Sequence, residues 1–286
     1  MRISKNLSLF RYSGPQNKGS LLIITLWMLI IFSIFAVGLY RIVSSQVNLA
    51  RRLEGLTLSS HVVGGFCKFI QGELERDGDS SDSLYELGSP KEVDFGFVHL
   101  EYSLIDEESK ININKMPTKF IKELPGLDED TAVNIRQSVL RPFHLKEELL
   151  LVEGVDQESY IEFSPFITVQ SKGRININTV SEEILTSLGF DDDLVRIILS
   201  FRKGEDDLAG TEDDGVFKSQ SAIVDTLDNF YGLSDAQEQQ LAIVLGWLDV
   251  KGETFSLRVE TEVLGKKAFE YDIIINTEKI VRWKEG

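Results

Sequence analysis

Residues 110–136 read KININKMPTKFIKELPGLDEDTAVNIR, and residues 174–202 read RININTVSEEILTSLGFDDDLVRIILSFR. The frames Ile111–Asn114 and Ile175–Asn178 are both ININ and lie 64 residues apart. Each is followed by a helical pattern, a Gly (Gly126 or Gly189), a run of acidic residues, and a second helical pattern. Self-similarity at this distance predicts two copies of one helical unit. In each copy an extended INxN segment leads into a helix capped at Thr118 or Ser181, and a tight turn follows at the glycine. The second helix starts at the aspartates, where acidic side chains suit the positive end of a helix dipole.

Each unit resembles a helix-hairpin-helix (SAM-like) motif, and the INxN lead-in is similar to that of competence-type DNA receptors. In such motifs the backbone of a Gly-x-Gly turn meets a nucleic acid phosphate. Here Asp128 and Asp191 stand in place of the second glycine, and more acid follows in Glu129, Asp130, Asp192 and Asp193. The chain carries 30 Lys and Arg against 46 Asp and Glu, a formal charge of −16. Phosphate binding needs neutralisation by cations. The hairpins are therefore expected to serve structure, and nucleic acid is not expected as a partner.

Strand-like alternation brackets the repeat. Val93–Asp106 places Val98, Leu100, Tyr102 and Leu104 on one face and reads as a single strand. Residues 254–264 and 267–277 alternate again around a turn at Gly265-Lys266, and Ile280–Trp283 adds a short strand. Strands separated by a long helical stretch imply an insertion in an α+β domain. The expected layout is a sheet domain from 77–114 and 251–286, with an all-α insertion over 115–250.

Upstream, residues 21–40 (LLIITLWMLIIFSIFAVGLY) carry no charged group, and the first acidic residue is Glu54. About twenty residues at 1.5 Å rise span a bilayer core. The basic residues before this stretch favour a cytoplasmic amino terminus. The apolar run is longer than a signal-peptide core, and Ala36-Val37-Gly38 is a poor cleavage site. A plain signal anchor satisfies hydropathy equally well. Leu49, Leu53, Leu56, Val63, Phe66, Ile70 and Leu74 continue the pattern at helical spacing. One helix is expected from about Ser20 to Glu75, apolar all round over 20–40 and amphipathic over 41–76.

A short basic leader (1–19) ending in Gly19, an apolar run with no turn at its end, and the repeat together resemble the minor pseudopilin K family of type II secretion systems. The resemblance implies a pilin-like fold in which a small antiparallel sheet carries a large helical insertion. It implies cleavage between Gly19 and Ser20 by a prepilin peptidase, with methylation of Ser20. Removing the leader with Arg2, Lys5, Arg11 and Lys18 would take the formal charge to −20. Most pilins carry glutamate at the fifth mature position, where this chain has Ile24. Lack of that carboxylate is the habit of the K branch. The implied partners are the I and J minor pseudopilins, the major pseudopilin and the inner-membrane platform, with the bulk of the chain periplasmic. Leu49, Leu53 and Leu56 are candidates for a stripe facing either partners or the sheet.

Residues 203–217 (KGEDDLAGTEDDGVF) hold Asp206, Asp207, Glu212, Asp213 and Asp214 among three glycines. Calcium takes six to eight oxygens from such flexible loops. The EF-hand spacing is absent, and a solvated acidic loop is the alternative. Related K pseudopilins bind calcium, and on that resemblance Ca²⁺ is the expected cofactor. Asp206, Asp213 and Asp214 are the first candidate ligands. No catalytic constellation emerges. His61, His99 and His144 are scattered, and the sole cysteine, Cys67, falls on the helix beside Phe66. No enzymatic activity is expected.

Overall fold

The computed structural model describes residues 18–76, 81–87, 90–263 and 266–286. The leader up to residue 17 and the expected turn residue Gly265 lie outside them. The chain divides into two compact units, one ending at Glu54 and the other running Gly55–Gly286.

Helix α1 is continuous from Lys18 to Arg76, 59 residues. In its first unit the side chains from Leu21 to Tyr40 are exposed, Leu22 and Tyr40 to 73 %. Hydroxyls on this stretch bond back to the helix, Thr25 Oγ1 to the Leu22 carbonyl at 2.9 Å and Ser33 Oγ to the Leu29 carbonyl at 2.7 Å. Both aliphatic hydroxyls of the stretch are thus satisfied within the helix and need no donor or acceptor from an apolar solvent.

In the second unit, the rest of α1 lies on a sheet. Val63, Phe66, Cys67 and Ile70 are buried there, at the three- and four-residue spacing that puts them on one face. Each large apolar side chain so covered contributes about 1.5–3 kcal/mol. Ser59 Oγ meets the Tyr271 hydroxyl at 2.6 Å, and Gln71 Nε2 donates to the Asn276 carbonyl at 2.7 Å. A short helix α2 (Leu84–Leu87) leads to strands β1 (Lys91–Asp94) and β2 (Val98–Asp106). The expected single strand over 93–106 is thus a hairpin. Gly96 takes φ +78, and its N–H donates to Asp94 Oδ1 at 2.6 Å. The aspartate side chain and the left-handed glycine make a turn that alternation alone does not reveal.

The insertion then forms two units of the same plan. In the first, β3 (Ile111–Asn112) is followed by α3 (Thr118–Ile121), α4 (Glu129–Gln137), α5 (Gln157–Phe163) and β4 (Ile167–Thr168). In the second, β5 (Ile175–Asn176) is followed by α6 (Glu182–Ser187), α7 (Asp192–Arg202), α8 (Ile223–Tyr231), α9 (Asp235–Val244) and β6 (Leu248–Asp249). Strand β4 pairs in parallel with β3, and β6 pairs in parallel with β5. The repeat therefore spans whole units, closing on ITV at 167–169 and LDV at 248–250. Both units share one core, from Ile111 and Ile113 through Ile135, Phe163 and Ile177 to Leu241 and Leu248.

The ININ frames have a common hydrogen-bond logic. The first asparagine turns back on the second: Asn112 Oδ1 accepts from the Asn114 N–H, and Asn176 Oδ1 from the Asn178 N–H. The second asparagine pairs both ways with the backbone of a buried phenylalanine. Asn114 Oδ1 and Nδ2 bond the N–H and carbonyl of Phe143; Asn178 does the same with Phe217. Gly126 and Gly189 make the expected left-handed turns, with φ +75 and +92. Asp128 caps α4 through the Thr131 N–H at 2.7 Å, and Asp191 caps α7 through the Leu194 N–H at 2.8 Å. Of the expected first-helix caps, Ser181 holds the cap position without a side-chain cap bond and Thr118 does not hold it. Thr118 is the first helical residue after Pro117, and Ser181 sits at its cap position with a buried Oγ that has no partner among the described residues.

The chain returns through β7 (Thr254–Val263), β8 (Lys266–Asn276) and β9 (Ile280–Glu285). The five-stranded sheet has the order β1-β2-β7-β8-β9, antiparallel throughout. Leu257 faces Ile273 across one ladder and Leu104 across the other, and Val259 sits between Tyr102 and Tyr271. Such cross-strand apolar pairs fix the register against the helix-facing core.

Candidate functional site

Gly19 and Ser20 fall in the first turn of α1. An 18-residue window of this helix reaches a mean hydropathy of 2.7, and none of it is buried in protein. Among the described residues it is the one helix long and apolar enough to cross a membrane. The expected stripe divides. Leu49 and Leu53 are exposed to 58 % and 54 %, whereas Leu56 packs against the core between helix and sheet. Cys67 is fully buried, and burial pushes its thiol up to about 11.

The acidic loop follows α7. Its carboxylates are not equivalent. Asp213 Oδ2 accepts from the Glu205 and Asp206 N–H groups, Asp214 Oδ2 from the Gly210 N–H, and Asp206 Oδ1 from the Leu208 N–H. All three turn an oxygen towards Thr211 Oγ1, at 2.8 Å from Asp213 Oδ1, 3.3 Å from Asp214 Oδ1 and 3.4 Å from Asp206 Oδ1. The Thr211 hydroxyl and these N–H groups hold the Asp213 carboxyl below its usual range. The other two candidates point elsewhere. Asp207, at φ +58, faces Lys203 Nζ at 3.4 Å, and Glu212 accepts from the Tyr85 hydroxyl at 3.1 Å. Beneath the loop Arg202 is buried, with one Nη donating to the Val180 carbonyl. Burial brings its guanidinium down to about 10, opposed by the charge of Asp214. Among the described residues no group of three or more His, Cys, Asp or Glu has metal-holding geometry.

Sequence reasoning missed a second acidic group, Asp106, Glu107 and Glu108, where β2 gives way to the insertion. All three are buried, to 3 %, 1 % and 2 % exposure. Asp106 Oδ2 accepts from Asn176 Nδ2 and Thr179 Oγ1, both at 2.7 Å, and Oδ1 accepts from the Glu108 N–H at 2.8 Å. Glu108 Oε1 accepts from the Lys172 N–H at 3.0 Å, and Oε2 accepts from the N–H groups of Glu253 and Thr254 at 3.1 and 3.0 Å. Glu107 is paired with Lys110 Nζ at 2.5 Å and accepts from the Ser256 and Thr168 hydroxyls. Burial pushes Glu107 up, but Lys110 and these hydroxyls outweigh it and hold the carboxyl below its ordinary value. The knot ties both crossings of the chain between sheet and insertion, outward at 106–110 and inward at 250–254, to the second INxN frame.

The histidines remain apart. His61 Nδ1 lies 2.7 Å from the Thr57 carbonyl on α1, His99 is on β2 at 3.8 Å from Glu92, and His144 donates its backbone N–H to Glu148.

No protein-family model matches the chain, and no curated protein matches it in sequence. Among solved structures it is similar to a chain of the crystal structure of the GspK-GspI-GspJ complex from the type 2 secretion system of enterotoxigenic Escherichia coli. The two are 15 % identical with a TM-score of 0.58, over 85 % of this chain and 98 % of that one. The likeness is one of fold, and it takes in nearly the whole of the solved chain.

Proposed function

We propose that this chain is a K-type minor pseudopilin of a type II secretion system, held in the inner membrane by α1 with its bulk in the periplasm. The observation that carries this reading is the fold-wide likeness to the secretion complex, joined to an exposed apolar helix that runs into a small sheet bearing a two-unit helical insertion. Prepilin peptidase would cut between Gly19 and Ser20 and methylate Ser20, leaving α1 on the mature chain. I-type and J-type minor pseudopilins and the major pseudopilin would pack along α1 at Leu49 and Leu53, whose apolar surface is exposed. The insertion, repeated on no neighbour, would cap the filament at its tip above the inner-membrane platform. The helical units would act as helix-hairpin-helix relatives used for structure. Asp128 and Asp191 already occupy N–H groups at the starts of α4 and α7, where a phosphate would otherwise bind.

The test is the amino-terminal mass of the full chain from membranes of cells that contain a prepilin peptidase. A chain beginning at N-methylated Ser20 is the expected result, and Gly19→Val should leave the leader attached. A wild-type chain beginning at Met1, or one cut after Tyr40, overturns the reading.

We further infer that the loop at 203–217 takes calcium through Asp206, Asp213 and Asp214. One hydroxyl proton on Thr211 can serve only one of the three oxygens around it. Asp206 Oδ1 keeps the Leu208 N–H. With the proton on the nearest oxygen, Asp213 Oδ1, Asp214 Oδ1 has no other donor among the described residues, and the gathered negative charge favours a cation. Asp207 and Glu212, engaged elsewhere, do not fit the set. Calcium at about a hundred times its dissociation constant should stabilise the full chain by roughly 2.7 kcal/mol. Thermal unfolding with calcium against chelator reads this directly; magnesium should do less, and Asp213→Asn should abolish the shift.

A further inference from the structure

We propose that Asp106 and Glu108 share one proton at neutral pH, and that this proton locks the insertion to the sheet. The geometry is that of two carboxyls buried at the same joint, two residues apart in sequence. Glu108 donates its N–H to Asp106 Oδ1 at 2.8 Å, so the two residues meet at one buried joint. Every other partner of the pair is neutral: the Asn176 amide, the Thr179 hydroxyl, and the backbone N–H groups of Lys172, Glu253 and Thr254. Among the described residues neither carboxyl has a lysine or arginine partner.

The charged groups around the pair do not supply one. Lys110 is bound to Glu107, and Lys172 Nζ reaches out to Glu253. Lys146 faces Lys110, Glu107 and Asp272, and burial holds it below its ordinary value. On the return crossing Asp82 accepts the Gly252 N–H at 2.5 Å and adds a further acid beside the knot. Asp249 is paired with Arg174 at 3.5 Å. Burying two carboxylates together without a cation disfavours ionising both, and one proton between them removes the repulsion. Burial and then the Glu108 charge push Asp106 up to about 8, and burial also raises Glu108.

The sign follows. A carboxyl whose folded-state value is raised contributes stability that is fully present below the ordinary carboxylate range and is lost as pH rises towards about 8. The donors pinned by this pair belong to both crossings of the chain and to β5. A second negative charge would therefore loosen the insertion from the sheet, not either core alone.

Infrared spectroscopy of the full chain in a maltoside detergent tests this. At pH 7 one protonated carboxyl C=O stretch per chain is expected, titrating away as the pH passes 8. Asp106→Asn should remove the band, and Glu108→Gln should move its titration. Absence of the band from wild type, or its persistence unchanged in both variants, overturns the proposal. Should either variant fail to fold, hydrogen exchange of the wild type decides. The Glu108, Glu253 and Thr254 amides should lose protection between pH 6 and 9 by more than the intrinsic base-catalysed rise. Protection that follows the intrinsic rise alone overturns the proposal.

Discussion

Asn178→Ala is expected to cost about 4 kcal/mol and to lower the thermal unfolding midpoint of the full chain in detergent by roughly 8–16 °C. Asn178 is 3 % exposed, and its amide is fully used. Oδ1 accepts from the Phe217 N–H at 2.9 Å, while Nδ2 donates to the carbonyls of Phe217 at 3.0 Å and Val250 at 3.1 Å. Alanine leaves the Phe217 N–H and carbonyl buried without a partner, at about 1–3 kcal/mol each, and takes from the Val250 carbonyl one of its two donors, the other being the Asp82 N–H. The equivalent Asn114 bonds only the Phe143 N–H and carbonyl and is half-buried. Asn114→Ala should therefore cost less, about 2 kcal/mol. Asn178→Asp should be worse than alanine at pH 7, because a carboxylate would face two carbonyls. It should recover in part as acid protonates it. Equal effects at the two asparagines would show that the hydrogen-bond account of the ININ frame is wrong.

That frame was legible in the sequence because it repeats, and so was much of the architecture around it. Period-3.6 patterning ran unbroken from the membrane stretch to Leu74, and α1 ends two residues further on, at Arg76. Alternation located β7 and β8, whose buried positions fall at every second residue from Phe255 to Val263 and from Phe269 to Ile273, before Ile274 and Ile275 are both covered. Two features resisted. The second half of each helical unit repeats in structure but hardly in sequence: FSPFITV at 163–169 and VLGWLDV at 244–250 share little beyond apolar positions. The Asp106–Glu108 knot was unreadable for a different reason. An acidic triplet after a strand looks like a solvated turn. Its burial is decided by donors 61 to 149 residues away in sequence, at Thr168 and Ser256 among others. The acidic loop at 203–217 drew attention by charge density, yet it is the more exposed of the two groups.

Gly252→Ala is expected to destabilise the full chain by about 3 kcal/mol, because the position has no room for a methyl group. A Cβ there would press on Asp106 Oδ1 and lie 2.8 Å from its Cγ. The carboxyl cannot swing aside without loss, since Asn176, Thr179 and the Glu108 N–H hold it from three directions. Nor can the glycine back away, because its own N–H is held by Asp82 Oδ2 and it sits one residue before Glu253, whose N–H is held by Glu108. The strain thus falls on both crossings between sheet and insertion at once. The midpoint of thermal unfolding should drop by roughly 6–12 °C. Gly72→Ala is the control of opposite sign. Gly72 lies within α1 with no atom near the added methyl, and alanine there should stabilise by about 0.5–1 kcal/mol through helix propensity. A Gly252→Ala chain that melts with wild type would mean that the two crossings move apart freely. The carboxylate knot would then be packing that forms around the joint, not the tie that holds it.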